Sequence, residues 1–350
     1  MKILLVKLSS LGDVVHTLPV VQDILAALPD AQIDWVVEPA FAPVLSLCPG
    51  VHRVLTCDLR RWRKAPLASR TRRAYQAFKK QLQATAYDAV IDLQGLTKSA
   101  MVARLARLLP GGKRYALANQ TDGSGYEAPT RWVADVAIHM EPHIHAVQRS
   151  RVLAAQALGY SLSMTLDYGL KVLFRQEFQG QPAIENIANS LPVHSVLFIH
   201  GTSRADKEWP LAHWIALGQQ FNATGCSVVL AHGNAAELAT SDAIACALNA
   251  TSLTPAPAAL VLPALPLDVL APVLGACTGV VGVDSGVSHL AVALGLPHVQ
   301  IYNFDTAWRT GPSQSGPAGA RQVSVFAQPA PGVQAVWQAW LGCVSARASQ

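Results

Sequence analysis

Charge is scarce in this chain, and acidic charge is missing from one long stretch. Only 14% of the 350 residues are charged while 51% are hydrophobic, which excludes an intrinsically disordered protein and leaves room for two domains with separate cores. No Asp or Glu occurs from Leu59 to Tyr87, and nine of the 27 Lys and Arg lie between Arg60 and Lys80. The net charge of +5 is mild, but this block indicates either an anionic partner or a solvated helix face.

Paired cysteines and long apolar runs are lacking as well. The six cysteines show no C-x-x-C spacing, so we predict reduced, buried thiols in a cytoplasmic protein. The apolar run in Met1–Lys7 is too short for a signal peptide. The most apolar window, Ala256–Val283, is interrupted by Pro263, Pro266 and Asp268, which favours strand, loop and helix over a membrane span.

Short β-branched runs alternate with helical patterns along the chain, which predicts an α/β protein with doubly wound parallel sheets. The pattern weakens at 160–194 and then starts again, so we place a domain boundary near Asp167. This gives a Rossmann-like domain at 1–167, a second at 168–330, and a C-terminal helix and tail at 331–350 that packs back on the first domain. The strand ends of the two sheets are expected to face a cleft.

One strand-to-helix break stands out in the second domain. Val280–Val283 runs into Asp284-Ser285-Gly286, and a helical spacing follows. A helix N-terminus beyond a parallel strand offers free N–H groups and partial positive charge to a phosphate. Asp284 and His289 add an acceptor and a donor at the same edge. An ordinary helix N-cap at Asp284 or Ser285 is the alternative.

Two further loops of the second domain carry polar side chains at predicted strand ends. The His200–Pro210 loop has the hydroxyls of Thr202 and Ser203 with Lys207, a set that suits a diphosphate. Its alternative is a solvated loop that ends with proline at a helix N1 position. Glu237 begins the next helix, where its carboxylate could accept from ribose hydroxyls or only favour the helix dipole.

In the first domain the Ser9–Asp13 loop follows the first strand. Asp13 is either a general base or an N-cap carboxylate. No G-x-G-x-x-G motif occurs there, which argues against a nicotinamide enzyme. The cluster of His139, His143 and His145 is interrupted by Pro142 and has no completing ligands, so we predict no metal site.

Taken together, these loops resemble those of the bacterial lipopolysaccharide heptosyltransferases. The N-terminal motif and the D-S-G-x-S-H motif mark the family, and the R-R-W-R-K block favours the enzyme that adds the first heptose. The likeness spans nearly the whole chain, through Lys7–Pro19, Asp34–Glu38, Arg60–Lys64, Tyr87–Asp92, Gln94–Leu96, Lys98–Ala100, His145–Val147, Thr202–Pro210 and Asp284–Leu290.

The resemblance implies a GT-B fold and an inverting transfer of heptose from ADP-L-glycero-D-manno-heptose to a Kdo residue of Kdo2-lipid A, without metal or other cofactor. It also implies peripheral contact with the cytoplasmic face of the inner membrane. By motif, Asp13 would be the catalytic base and Lys207 would assist catalysis. The donor would be bound by Thr202, Ser203, Lys207, Glu237, Asp284, Ser285, Gly286 and His289, and the acceptor by Ser10, Gly12, Arg60, Arg61, Arg63 and Lys64.

Two segments depart from the family pattern. Tyr126–Ala128 stands where the family has Arg-Glu-Pro, and Tyr302–Ala307 replaces a Tyr-Gly-x-Thr-x-Pro loop. A heptosyltransferase that acts later in the core is the alternative within the class. A nucleic-acid-binding module would use Arg60–Lys80 with its interleaved Trp62 and other aromatic residues, but it would leave the second-domain loops without a role, so no nucleic-acid partner is predicted.

Overall fold

Each half of the chain forms a parallel sheet flanked by helices, as the alternating pattern predicts. The computed structural model describes residues 1–170, 182–251, 257–313 and 319–345. The chain divides into two units, Met1–Gly169 and Leu170–Gln350. Each unit has one sheet of six described strands, and the predicted α/β class with two Rossmann-like halves is confirmed.

In the first unit the sheet order is β3-β2-β1-β4-β5-β6, so β1 lies between β2 and β4 where the strand order reverses. Ligands of open α/β sheets bind beyond the carboxyl ends of strands at this kind of position. The strands are β1 (Lys2–Val6), β2 (Gln32–Val37), β3 (Val51–Thr56), β4 (Ala86–Asp92), β5 (Arg107–Leu117) and β6 (Val136–Ile138). The helices are α1 (Leu11–Val15), α2 (Pro19–Ala27), α3 (Ala42–Ser46), α4 (Leu59–Lys64), α5 (Ser69–Gln83), α6 (Thr97–Leu105), α7 (Pro129–Val133) and α8 (Ala146–Leu158).

In the second unit the order is β12-β11-β10-β7-β8-β9, and β7 lies between β10 and β8. The loops after β7 and β10 therefore leave the sheet side by side. The strands are β7 (Ser195–Ile199), β8 (Ser227–Leu230), β9 (Ala259–Val261), β10 (Gly279–Val283), β11 (His298–Tyr302) and β12 (Gln322–Phe326). The helices are α9 (Pro182–Ser190), α10 (Leu211–Ala223), α11 (Ala235–Ala250), α12 (Leu267–Ala276), α13 (Gly286–Ala293), α14 (Ala307–Thr310) and α15 (Val333–Ser345).

The C-terminal helix packs elsewhere than the sequence suggested. Val336, Trp340 and Cys343 of α15 are buried in the core of the second unit, where the Trp340 ring lies 5.1 Å from that of Phe221. The prediction that this helix packs on the first domain is wrong, because its apolar face covers the second sheet. The last part of that predicted segment, 346–350, lies outside the described residues.

Two predicted helices differ in the structure, one being broken in two and the other ending early. The helix predicted from Val14 to Leu28 is broken into α1 and α2, since Pro19 has no N–H to continue the first helix and begins the second. The helix predicted to Leu109 ends at Leu105, and β5 follows. Pro210, predicted at the N1 position of the next helix, is instead the N-cap of α10, which begins at Leu211.

The cysteine prediction is confirmed in part. None of the six cysteines, all of them among the described residues, forms a disulfide; Cys48, Cys57, Cys277 and Cys343 are buried, but Cys246 is exposed and Cys226 is half-buried. Within the described residues, the helices are too short or too polar to cross a bilayer.

Candidate active site

Asp13 lies in the loop that follows β1, at the third position of α1. Its Oδ2 accepts hydrogen bonds from the Ser10 backbone N–H and from Ser10 Oγ, each at 3.0 Å. The N-cap of α1 is Ser10, so Asp13 is not the N-cap carboxylate considered from the sequence but the N3 partner of a capping box. The Asp13 side chain is nevertheless 39% exposed, and its Oδ1 lies 3.7 Å from Lys7 Nζ. The carboxylate thus closes the capping box while part of its surface stays exposed.

Lys7 is the charged neighbour that sets the ionisation of Asp13. It is 1% exposed, and its ammonium donates to the Leu93 carbonyl at 2.9 Å. Burial lowers the pKa of Lys7 to about 8, although the charge of Asp13 opposes this. Burial by itself would raise the pKa of Asp13, but the charge of Lys7 and the bonds from Ser10 outweigh it and lower that pKa. Asp13 is therefore ionised at neutral pH, as a general base must be.

Side chains at the end of β4 fix the Ser9–Asp13 loop, called here the base loop. Gln94 Oε1 accepts from the Leu8 and Ser9 backbone N–H groups at 2.8 and 3.1 Å, and its Nε2 donates to the Ser9 carbonyl. Asp92 in turn accepts from the Gln94 N–H at 3.0 Å and from Ser99 Oγ at 2.9 Å. No role was predicted for Asp92 or Gln94; the signal for one was their position at the end of a strand beside β1.

The basic block begins on α4, and one member of it is tied to the base loop. Glu38 is buried, and its two carboxylate oxygens pair with Arg60 Nε at 3.0 Å and Lys98 Nζ at 3.2 Å. Lys98 Nζ also donates to Ser9 Oγ at 2.6 Å. A chain of contacts therefore links Arg60 to the loop before Asp13. Sequence reasoning assigned no role to Glu38 or Lys98.

The rest of α4 presents cations outward from an aromatic anchor. Trp62 packs against Tyr75 and Phe78 of α5, with ring centroids 5.9 and 5.6 Å apart. Asp58 caps the helix by accepting from the Arg61 N–H at 3.3 Å. Arg61, Arg63 and Lys64 are exposed. A cavity of about 270 Å³ lies beside them, lined by Pro39, Thr56, Asp58, Arg61, Trp62, Arg70, Thr71, Ala74, Ala77, Phe78 and Gln81.

In the second unit Asp284, Lys207 and His289 form one charged cluster. Lys207 Nζ donates to Asp284 Oδ2, and His289 Nε2 lies 3.2 Å from Asp284 Oδ1. Burial would raise the pKa of Asp284, but His289 and Lys207 outweigh it and hold that pKa well below its usual range. Gln300 Nε2 lies 3.3 Å from His289 Nδ1 and extends the cluster, a partner that the sequence did not suggest. The segments that follow β7 and β10 thus meet a residue of β11 at one sheet edge.

The other predicted donor residues surround this cluster. Thr202 Oγ1 donates to the Asp284 carbonyl at 3.4 Å, and Ser203 is exposed on the same loop. Ser285 is the N-cap of α13, whose first residue is Gly286, so the capping alternative also holds here. Ser285 Oγ accepts from the Ser288 N–H, and the N-terminus of a helix generally suits an anion.

Glu237 lies against the β7 loop while it caps its own helix. Its Oε2 accepts from the Gly233 N–H at 2.6 Å, and its Oε1 accepts from Asn234 Nδ2 at 2.8 Å. A Cβ placed on Gly201 would lie 2.5 Å from the Glu237 carboxyl carbon, so the glycine is what permits this approach. The structure therefore brings Glu237 to the loop that carries Thr202 and Lys207.

Two of the three histidines near residue 140, His143 and His145, have local partners. His145 Nδ1 accepts from the Val147 N–H at 3.2 Å and caps α8, and His143 lies 3.3 Å from Asp122. In the described part of the chain, no group of three metal-ligating side chains lies close enough together to hold an ion. Tyr126, at the position where the family has arginine, donates its hydroxyl to the Ala118 carbonyl at 2.8 Å.

Each unit has a parallel α/β sheet with charged side chains beyond its strand ends, which is the architecture of the GT-B glycosyltransferases. Solved structures with this architecture are similar over the whole chain. E. coli heptosyltransferase WaaC with ADP matches with a TM-score of 0.79 at 33% identity, covering 97% of this chain and 98% of that one. The same enzyme with ADP-2-deoxy-2-fluoro heptose matches with a TM-score of 0.76 at 34% identity, covering 97% and 98%.

Known sequences similar to this chain identify its family within the glycosyltransferases. Residues 75–334 match glycosyltransferase family 9 (heptosyltransferase). Lipopolysaccharide heptosyltransferase 1 of Pseudomonas aeruginosa is 37% identical over 331 residues, which cover 92% of this chain and 83% of the relative. The chain belongs to glycosyltransferase family 9, the heptosyltransferases, and the resemblance seen in its motifs is confirmed.

Proposed function

We propose that this enzyme transfers L-glycero-D-manno-heptose from ADP-heptose to a Kdo residue of Kdo2-lipid A, with inversion at the anomeric carbon. The observation that carries the proposal is the ionised, partly exposed Asp13 held beside buried Lys7. The names of the relatives, and the ADP and ADP-sugar bound in the similar structures, support heptose as the sugar and ADP as the leaving group.

In this mechanism Asp13 takes the proton of the acceptor hydroxyl as the hydroxyl oxygen attacks the anomeric carbon. The bond from that carbon to the diphosphate oxygen breaks, ADP leaves with the electron pair, and a single displacement inverts the centre. Lys207 stabilises the growing negative charge on the diphosphate, because its ammonium group lies on the loop after β7 that contacts the phosphates in this proposal. Asp284 holds Lys207, and Asp284 and His289 bind the sugar. Thr202, Ser203, Ser285 and Gly286 contact the phosphates, and Glu237 binds the ribose.

The acceptor is bound by the first unit. Ser10 and Gly12 flank the attacking hydroxyl beside Asp13, and the exposed guanidinium groups of α4 meet the carboxylates and phosphates of the lipid through paired hydrogen bonds. The binding side chains on α4 are Arg60, Arg61, Arg63 and Lys64.

A lipid acceptor requires a membrane surface, and α5 suits contact with the cytoplasmic face of the inner membrane. Among its fifteen residues only Phe78 and Leu82 are buried, and the helix carries five cations and no acid. Basic side chains near an anionic bilayer contribute about 1 kcal/mol each at most. Purified protein should co-sediment with vesicles that contain anionic lipid and should be released by salt. Sedimentation with neutral vesicles alone would contradict this electrostatic contact.

The reaction is tested by incubating purified enzyme with ADP-heptose and Kdo2-lipid A and analysing the lipid by mass spectrometry. We expect the lipid to gain one heptose and a stoichiometric amount of ADP to appear. A second reaction offers an acceptor that already carries one heptose, which a later-acting heptosyltransferase would use. Transfer to that acceptor alone would replace the proposed acceptor, and no transfer to either would overturn the proposal.

A further inference from the structure

Asn303 lies at the sheet edge that carries Asp284, in a segment where the sequence departs from the family pattern. It follows β11 directly, and β11 pairs in parallel with β10, where Val283 is opposite Ile301. The Asp284 N–H donates to the Ile301 carbonyl at 3.1 Å. Asn303 is 9% exposed. A buried carboxamide therefore occupies a position where the heptosyltransferase pattern has glycine.

The nitrogen of this carboxamide holds the backbone on both sides of Lys207. Asn303 Nδ2 donates to the Asp206 carbonyl at 3.2 Å and to the Glu208 carbonyl at 2.8 Å. The other backbone hydrogen bonds here are local, from the Lys207 N–H to Arg204 and from the Glu208 N–H to Ala205. Asn303 thus holds this largely exposed loop against the end of β11, in addition to the contacts that Thr202 and Lys207 make with Asp284.

The oxygen of the same carboxamide is buried and makes no hydrogen bond with any described group. The orientation of the amide follows from its surroundings, because the atom near two carbonyls must be the donor nitrogen. A buried acceptor without a partner is costly, so such an atom beside a binding cluster indicates a donor supplied by a ligand.

We propose that Asn303 is a residue of the donor site whose nitrogen positions Lys207 and whose oxygen accepts a hydrogen bond from a sugar hydroxyl of the nucleoside diphosphate sugar. The identity of that ligand rests on the proposed function. The position of Lys207 relative to the diphosphate is then fixed, because Asn303 holds the backbone carbonyls of the residues before and after it. The sugar contact makes this side chain a specificity determinant of the chain.

The test is calorimetric binding of ADP and of ADP-heptose, without acceptor, to wild-type protein and Asn303→Ala. We expect Asn303→Ala to weaken ADP about 3- to 10-fold through the loosened lysine, the usual effect of one or two neutral hydrogen bonds. ADP-heptose should weaken by a further factor of about 3 to 10. Unchanged ADP affinity would overturn the positioning of Lys207, and equal losses for the two ligands would overturn the sugar contact.

Asn222→Ala is the matched control. Asn222 Nδ2 also bridges two loop carbonyls of the second unit, those of Cys226 at 3.0 Å and Ala258 at 2.9 Å, but it belongs to none of the proposed binding contacts. We expect this variant to lower the melting temperature while leaving both affinities unchanged. Equal losses of affinity in the two variants would mean that Asn303 acts only through the stability of the fold.

A second route remains if Asn303→Ala folds poorly. Asn303→Gly introduces the residue that the resembling family has, and it should show the same pattern of affinities. In a Lys207→Ala background the Asn303 substitution should no longer change ADP affinity, and full additivity would contradict action through Lys207. Wild-type protein that binds no ADP would instead overturn the proposed function, and its failure is distinct from unchanged binding in the variants.

Discussion

Asp13 and Asp92 lie beyond or at the ends of neighbouring strands, yet their pKa values move in opposite directions. Burial raises the pKa of Asp92 to about 6, although three donors oppose it. At Asp13 the nearby Lys7 and the Ser10 bonds outweigh burial and lower the pKa. The difference fits the role proposed for Asp13, whose side chain is partly exposed, while Asp92 supports the Gln94 side of the loop.

Asp13→Asn should reduce kcat by at least about 100-fold, the minimum expected for loss of a general base, while ADP affinity stays the same. Steady-state kinetics and calorimetry check the two parts. Asp58→Asn is the control, because Asp58 caps α4 through the Arg61 N–H and has no proposed chemistry. If Asp13→Asn retains more than about a tenth of wild-type kcat, Asp13 is only a helix cap.

Asp92→Asn should change how stability depends on pH. Because the folded pKa of about 6 is raised above the ordinary 3.8, the contribution of Asp92 is present below about pH 4 and is lost as pH rises through 6. The free energy of unfolding of the variant relative to wild type should therefore increase from pH 4 to pH 7, by about 3 kcal/mol for a shift of this size. Urea denaturation across that range measures it.

Asp88→Asn, on the same strand where its carboxylate accepts from the Lys2 N–H, is the control for that series. A flat difference between Asp92→Asn and wild type from pH 4 to pH 7 would mean that Asp92 is ionised throughout.

Lys207→Ala should weaken ADP binding and lower kcat as well, because leaving-group charge grows at the diphosphate in the transition state. It also leaves buried Asp284 with fewer charged partners, so a fall in melting temperature should accompany it. Arg204→Ala removes a cation of the same loop that is exposed and paired with Asp206. Unchanged ADP affinity together with unchanged kcat in Lys207→Ala would remove this lysine from the site.

At the scale of secondary-structure elements, one acid-free stretch of sequence becomes two helices with different surroundings. The α4 helix packs through Trp62 and is connected to the base loop by Arg60 and Glu38. The α5 helix contributes Phe78 and Leu82 to the first core and exposes its cations. Sequence spacing placed Arg60–Lys64 correctly after a strand, but the buried Glu38 partner depends on a second strand that is distant along the chain.

Single alanine substitutions in α4 should raise the acceptor KM and leave the donor KM within about twofold, which corresponds to under about 0.5 kcal/mol. The substitutions are Arg60→Ala, Arg61→Ala, Arg63→Ala and Lys64→Ala. Arg60→Ala should also lower kcat, since it alone of the four contacts Glu38 and hence Lys98 and Ser9 among the described contacts. Steady-state kinetics with each substrate varied in turn provides the measurement.

Arg104→Ala, at an exposed arginine of α6 with no proposed contact to lipid or substrate, is the matched control for the α4 series. Equal rises of donor and acceptor KM in the α4 variants would indicate a structural role for the helix, and unchanged values would make it an ordinary solvated surface.

At the scale of the whole molecule, the C-terminal helix completes the second unit. Trp340 is 5% exposed and lies over Gly279, where an added Cβ would be 2.8 Å from its ring. Its ring also contacts Phe221. The second sheet therefore depends on a segment that follows all of its strands in the chain.

Trp340→Ala should destabilise the second unit by about 3–5 kcal/mol, as expected when a buried tryptophan is truncated. Leu341→Ala, at the neighbouring position with 40% exposure, should stay within about 0.5 kcal/mol. Chemical denaturation followed by tryptophan fluorescence compares the two variants. Equal effects would show that α15 contributes little to this core.

The sequence by itself determined the α/β class, the family and most helices and buried strands, because β-branched runs and the 3.6-residue period are local signals. It also placed polar side chains at strand ends. It missed β5, β6 and β12, which all have half-exposed or exposed positions: β5 contains Pro110 and two glycines, β6 has only three residues, and β6 and β12 are edge strands. Such strands form because the sheet beside them offers hydrogen-bonding groups.

Only the tertiary structure decided which distant groups meet. Lys207 and Asp284 are 77 residues apart, and Lys7 and Leu93 are 86 apart, yet each pair is in hydrogen-bond contact. The hydrogen bonds from Asn303 to the carbonyls on either side of Lys207 also join residues more than 90 positions apart. Spacing along the chain carries no information about such pairs, since the parallel register of the sheets and the packing of the helices fix them, and with them the pKa values of the carboxylates.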